Sequence, residues 1–165
     1  IAASGIMTPP RLCPEEPILR EGGVVIGLSP SRGYIDPERY PSYQAAIDLY
    51  ARYQDVRSLV DHEEAFDQRA DYRALYTDGH AYPALHPFWL LYQYSYTLAR
   101  AAAVIMAGTT NSEAFRALGI LSAPDFEAAW TRAVEIVGED PVTVVAPTYW
   151  SRRSFKFDVK KLGGD

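Results

Sequence analysis

A histidine, an indole and an amide are spaced along one predicted helix so that they share a face. His86, Trp89 and Gln93 occupy positions i, i+3 and i+7, and side chains at those spacings are neighbours on a helix surface. His86 stands at the start of this helix, where the helix dipole favours the neutral imidazole. The face can bind a small polar ligand, with His86 forming a hydrogen bond or transferring a proton. The alternative is an aromatic helix that packs against a sheet or another domain.

Short apolar runs rich in β-branched residues predict the strands of a sheet. Val24–Leu28, Ala103–Ala107 and Val142–Ala146 are continuous runs that stop at turn-forming residues, which is typical of strands buried on both faces. Ile1–Ser4 resembles the end of a further strand. Because the runs alternate with amphipathic helices, we expect an α/β fold. It should be a small, mostly parallel sheet of about four strands with helices on both faces, in a Rossmann-like arrangement.

Capping residues and helical periodicity predict the helices between those strands. The expected helix starts are Pro41–Ser42, a capping box at Asp61–Glu64, Pro87, Ser112 and Ser122. The helix after Asp61 should continue to near Gly79, and the last helix should end at Gly138 in the left-handed conformation. Trp130 belongs to the apolar stripe of the last helix and should be buried against the sheet.

Polar loops should follow the carboxyl ends of the strands, where open α/β sheets bind ligands. The expected substrate contacts in these loops are Ser4, Gly5, Ser29, Ser31, Arg32 and Thr109. Their N–H groups and hydroxyls can hold a carboxylate or phosphate, and Arg32 adds a cation. Tight turns without a ligand are the alternative. Since the helix that starts near His86 must return to feed the strand at Val104, we expect His86 and Arg32 to face the same edge of the sheet.

The distribution of charge narrows the classes of partner. Residues 1–150, which we expect to form a single α/β domain, hold eleven basic and nineteen acidic side chains, and the basic tail at 151–165 holds five basic and two acidic ones. An acidic domain is a poor partner for nucleic acid, because that binding begins with phosphate neutralisation. No apolar stretch approaches the roughly 20 residues that span a bilayer. We therefore expect neither nucleic acid nor membrane as a partner.

Cysteine and histidine usage point away from disulfide and metal chemistry. Cys13 is the one cysteine of the chain, so no internal disulfide can form and we expect a cytoplasmic location. The three histidines, His62, His80 and His86, lack metal-ligand spacing with Cys or carboxylate partners, so no metal site is predicted. Glycine-rich nucleotide loops, a G-x-S-x-G motif and an H-E-x-x-H motif do not occur in the sequence.

Four features in sequence order resemble the carboxy-terminal domain of the nickel-dependent lactate racemase family. They are the strand end and loop at Ile1–Gly5, the paired glycines and strand at Leu19–Ile26, the helix end at Leu98–Arg100 that leads into Val104–Met106, and Asp125–Trp130 ahead of Gly138–Pro147. The resemblance spans most of the chain and depends on the order and spacing of these features. Because the sequence opens in what reads as mid-strand, we expect it to be part of a longer polypeptide.

The resemblance implies a two-domain isomerase that racemises or epimerises a small 2-hydroxy acid. It implies a nickel pincer nucleotide that accepts and returns a hydride and is held by an amino-terminal domain missing from this chain. This chain alone should then hold no cofactor and be inactive. An aromatic side chain of the later helix contacts the substrate in the family, and Trp89, Tyr92 and Tyr94 lie in that stretch.

The sequence departs from the family pattern in one place. Related chains usually carry a Gln and a Lys in a helix that follows the first strand and touches the substrate, whereas Ile6–Glu16 is proline-broken and has neither residue. A non-catalytic α/β module that binds a small anionic ligand or a partner protein is therefore the alternative. Such a module should bind a hydroxy acid or nucleotide without a second domain, whereas a racemase fragment would need that domain.

Overall fold

Strands and helices alternate along the chain in a computed structural model that describes residues 18–30, 34–79, 81–109 and 113–145. In chain order the elements are β1 (Gly23–Leu28), α1 (Pro41–Tyr53), a 3₁₀ segment (Val56–His62), α2 (Glu63–Asp67), α3 (Ala70–Thr77), α4 (His86–Leu98), β2 (Ala101–Ala107), α5 (Glu113–Ala117), β3 (Leu121–Ala123) and α6 (Phe126–Val137). The mixed α/β class predicted from the sequence is confirmed.

The three described strands form a parallel sheet in the order β1-β2-β3. β1 and β2 pair from Val24 opposite Ala103 to Leu28 opposite Ala107. Two further main-chain hydrogen bonds extend this ladder beyond its ends: Gly22 N donates to Arg100 O at 2.7 Å, and Ser29 N donates to Ala107 O at 3.0 Å. The tight connection between α4 and β2 is thereby fastened to the start of β1.

Successive residues of β2 enter two different cores, because neighbouring side chains of a strand point to opposite faces. Val104 and Met106 pack with α1 and α4 in one cluster, whereas Ile105 and Ala107 pack with α6 in the other. All four are at most 2% exposed. Helices therefore cover both faces of the sheet, and β2 reads in sequence as a continuous apolar run.

The described strands number three, where the sequence predicted about four. Residues 142–145, the described part of the predicted strand Val142–Ala146, are not in a strand, and Val142 and Val145 are largely exposed. A β-branched run needs a neighbouring strand to satisfy its main-chain groups, and 142–145 has none among the described residues. The sequence analysis missed β3, while the strand end predicted at Ile1–Ser4 lies outside the described residues.

Two helix starts differ from those predicted. α6 is capped by Asp125, whose Oδ1 accepts a hydrogen bond from Ala128 N at 2.8 Å, while the predicted cap Ser122 lies in β3 opposite Met106. Gly138 ends α6 with a positive φ of 90°, but its ψ of 173° is not that of the left-handed helical conformation. Ser112, the predicted cap of α5, lies outside the described residues.

The polar segment after Asp61 is divided into more elements than the sequence predicted. Asp55, rather than Asp61, provides a side-chain cap: it accepts from Arg57 N at the start of the 3₁₀ segment. Asp61 lies inside that segment, and α2 begins at Glu63 without a side-chain cap. The single predicted helix is broken between α2 and α3, where Arg69 has extended backbone dihedrals. Few apolar side chains in this segment hold it against the core.

The last helix approaches the sheet closely because it places alanines on its inner face. Ala129 and Ala133 are at most 5% exposed and pack against Ile105 and Ala107. Trp130, predicted to be buried, is only half-buried and instead contacts the Phe126 ring at 5.9 Å between centroids. Because the alanines pack directly against the sheet, the indole of Trp130 lies at the edge of the contact between helix and sheet.

We predict that Phe88→Ala destabilises the domain by about 3–5 kcal/mol, the usual range for removing a large aromatic side chain from a core. Phe88 is 1% exposed and packs edge to face on Phe66 at 4.6 Å. Urea unfolding measures the change. Tyr96→Ala on the same helix is the control, because Tyr96 is 63% exposed and should cost less than about 1 kcal/mol. Equal losses from both variants would contradict the orientation of α4.

Candidate functional site

The starts of two helices meet at a hydrogen bond between Tyr43 and His86. Both helices have a proline in their first turn, a position that suits Pro because the N–H there has no helical partner. The Tyr43 hydroxyl bonds His86 Nδ1, and both side chains are half-buried. The pair therefore joins α1 to α4 and fixes the orientation of the imidazole.

Burial sets the protonation of this pair. It lowers the pKa of His86, which keeps the imidazole neutral near pH 7. It also raises the pKa of the Tyr43 phenol, an effect to which Tyr82 and Tyr40 add. A protonated phenol beside a neutral imidazole can donate to Nδ1, and Nε2 then carries the ring proton. No hydrogen bond joins Nε2 to a described residue, so this N–H can donate to an oxygen atom of a ligand.

Aromatic rings flank His86 on the surface. Tyr82 stacks on the imidazole, with centroids 4.5 Å apart and planes 14° apart, and Tyr40 stacks beyond Tyr82 at 6.2 Å. Trp89 also contacts His86, with ring centroids 5.6 Å apart and ring planes inclined by 47°. We call Tyr40, Tyr82, His86 and Trp89 the aromatic row. Its spacings are those of interacting aromatic pairs.

The structure brings some predicted substrate-binding residues of α4 together and separates another. His86 and Trp89 are in ring contact, and Gln93 is a half-buried residue of the same helix. Tyr92 serves a different contact: its hydroxyl donates to Glu63 Oε1 at 2.6 Å and ties α4 to α2. Burial, and then this contact with Glu63, raise the pKa of Tyr92.

A separate crevice of about 420 Å³ lies at the carboxyl ends of the strands, where the sequence predicted ligand contacts. Its lining residues are Leu28, Ser29, Pro30, Ala107, Gly108, Pro124, Asp125 and Phe126. Gly108 has a φ of +85°, and a Cβ there would stand 3.1 Å from the Ser29 carbonyl oxygen. The lining is mostly apolar and includes one carboxylate, so it favours an apolar occupant over an anion.

The main-chain donors at this edge already have partners. The N–H of Ser29 donates to Ala107 O, and the N–H groups of Gly108 and Thr109 both donate to Ala123 O. Thr109 is 3% exposed. These three N–H groups continue the parallel sheet and are not available to a carboxylate or phosphate.

Four predicted substrate contacts, Ser4, Gly5, Ser31 and Arg32, lie outside the described residues. The position of His86 follows from its helix: α4 ends at Leu98, β2 starts at Ala101, and the two elements pack together. A 13-residue helix rises about 20 Å and a seven-residue strand about 23 Å. A helix that runs back along β2 therefore places His86 level with the carboxyl end of that strand. Whether Arg32 faces His86 stays a prediction.

Sequence reasoning missed three members of the site. It chose His86 and Trp89 on one helix, but not Tyr40 and Tyr43, at the start of α1, or Tyr82, in the segment before α4. The signal was the high tyrosine content, 12 residues in 165. Composition alone cannot tell which tyrosines converge.

Metal and membrane features are not found in the described part of the chain. There, no group of three or more His, Cys, Asp or Glu side chains could hold a metal ion. Nor does any helix in the described ranges have the length and apolar character needed to span a membrane.

Comparisons of this chain with known proteins found no match. No family model matches it, and neither the curated proteins nor the solved structures include a significant match. The resemblance to the lactate racemase family thus depends on the four sequence features alone.

We predict that His86 makes stability depend on pH. Its pKa is lowered in the folded chain, so the unfolded chain takes up a proton first as the pH falls below about 6.5. The stability contributed by neutral His86 is present above that pH and is lost below it. Urea unfolding between pH 7.5 and 5.5 should therefore show a smaller loss of stability for His86→Phe than for the native chain.

Tyr96→Phe is the control for this measurement, because it changes an exposed tyrosine of the same helix. It should reproduce the native pH dependence. An unchanged dependence in His86→Phe would refute the lowered pKa.

Proposed function

We propose that this chain is the substrate-facing domain of a racemase or epimerase that acts on a 2-hydroxy acid, with His86 in contact with the substrate. The observation that carries the proposal is the Tyr43–His86 pair beside the exposed Trp89. The ordered sequence features that resemble the lactate racemase family name the reaction class. A Rossmann-like sheet and a cytoplasmic location belong to the same proposal.

His86 would act first as a hydrogen-bond donor. With Tyr43 donating to Nδ1, the Nε2–H can bind a carboxylate or hydroxyl oxygen of the acid. Accepting the hydroxyl proton at Nε2 requires the other neutral tautomer, in which Nδ1–H donates to the Tyr43 oxygen. The pair can therefore hold the substrate oxygen in one arrangement and receive its proton in the other.

The resemblance implies a nickel cofactor, but the described residues include no cluster of side chains that could bind its metal ion. We propose that a second domain holds it and supplies the hydride acceptor. This chain's part is to bind the acid and orient it. Ser4, Gly5, Ser31 and Arg32 stay in the proposal as further substrate contacts, and Arg32 suits a carboxylate by its planar, bidentate guanidinium.

A second candidate, a module that binds a partner protein, is favoured by the crevice at the carboxyl ends of the strands. Leu28 is 68% exposed and Phe126 46% exposed there, and the Asp125 carboxylate disfavours a small anion. In this case Leu28 and Phe126 would make the interaction and His86 would not take part. Leu28→Asp would then abolish it and His86→Phe would leave it intact.

The His86 contacts all come from this chain, so we predict that it binds a 2-hydroxy acid without a second domain, in contrast to the expectation from the sequence. It should bind both enantiomers, with dissociation constants within about tenfold of each other, because a racemase must accept both. Ligand-observed NMR with a panel of aliphatic and aromatic 2-hydroxy acids measures this binding. His86→Phe keeps the ring but removes the N–H donor, and should weaken binding about tenfold, the worth of one hydrogen bond.

Tyr53→Leu is the matched control. Tyr53 is the last residue of α1, about 15 Å along that helix from Tyr43. The Tyr53→Leu variant should bind the 2-hydroxy acids with the same dissociation constants as the native chain. The assignment of the site would be refuted if no acid of the panel bound. It would also be refuted if the dissociation constants of the acids that bind were unchanged in His86→Phe.

A further inference from the structure

The aromatic row presents ring surface that the fold does not use. Trp89 and Tyr82 are each 54% exposed. The core contacts of α4 are made by other residues, among them Phe88 and Tyr94, which are 1% and 4% exposed. Single exposed aromatic residues are ordinary in proteins. Here the exposed rings of Tyr82 and Trp89 both contact the imidazole of His86, whose Nε2 has no hydrogen-bond partner among the described residues.

The row is also organised before any ligand arrives. Tyr43 holds His86 by a hydrogen bond, and Tyr82 lies between the rings of His86 and Tyr40. Tyr and Trp side chains have few rotatable bonds, so little conformational entropy is lost when they bind a ligand. A small aliphatic side chain would leave most of this surface in water.

The orientation of Trp89 leaves room for a further ring. Its plane is inclined by 47° to the imidazole, so the two rings are not stacked face to face and the indole face is not covered by His86. A ligand ring at the usual 4.5–7 Å from the indole could stack there. Its polar end would then be next to His86.

We propose that the 2-hydroxy acid bound at His86 carries an aromatic side chain, whose ring stacks on Trp89. This inference rests on the proposed function, since it assigns the substrate class of the same site. His86 receives the carboxylate or hydroxyl oxygen, and the exposed indole of Trp89 selects the aryl group.

The test compares 3-phenyllactate with lactate, each as both enantiomers, by ligand-observed NMR on the full 165-residue chain. Phenyllactate should bind about five- to tenfold more tightly, the value of one aromatic pair. Trp89→Leu should reduce this preference, because it weakens phenyllactate binding more than lactate binding. Tyr82→Phe keeps the ring and should retain the preference, as should the remote Tyr53→Leu.

Each other outcome overturns a different step. Equal binding of lactate and phenyllactate overturns the aromatic substrate class and leaves the proposed function standing. If 3-phenylpropanoate, which lacks the hydroxyl group, binds as tightly as phenyllactate and His86→Phe changes neither, the proposed function fails and the inference with it. If none of the three acids binds, both are overturned.

Discussion

The parallel ladder between β1 and β2 is the constraint on which the other elements depend. Its five regular pairs, from Val24 to Leu28 on β1, fix which β2 side chains face α1 and α4 and which face α6. A shift of one residue would exchange the two faces, because strand side chains alternate. Val104 and Met106 would then meet the alanines of α6, and Ile105 and Ala107 would meet the large residues of α4. The ladder thus fixes the packing of both helical layers.

The sequence predicted the elements that are marked by a clear local signal. β1, β2, α1 and α4 were found because continuous β-branched runs and first-turn prolines mark them. β3 was missed because it has three residues and a serine at its centre, too few for any period to show. Its pairing with β2, a tertiary contact, makes it a strand.

The errors have the same origin. Ser122 and Asp125 are both good cap residues in a single stretch of sequence, and only the position of β3 shows that the helix begins after Asp125. The spacing of Trp130 places it in the apolar stripe of α6. The residues of that stripe that pack against the sheet are the small ones, Ala129 and Ala133. Spacing predicts a face, while side-chain volume decides which part of the face touches the sheet.

The Tyr43–His86 contact joins residues that are 43 positions apart, and this separation has a consequence for folding. The 3₁₀ segment, α2 and α3 all lie in the loop that the contact closes, and closing a loop of that length costs chain entropy before any contact offsets it. The Tyr43–His86 contact therefore requires α1 and α4 to be packed together. A molecule that binds the row stabilises the whole native domain by mass action, although it touches only one end of the fold.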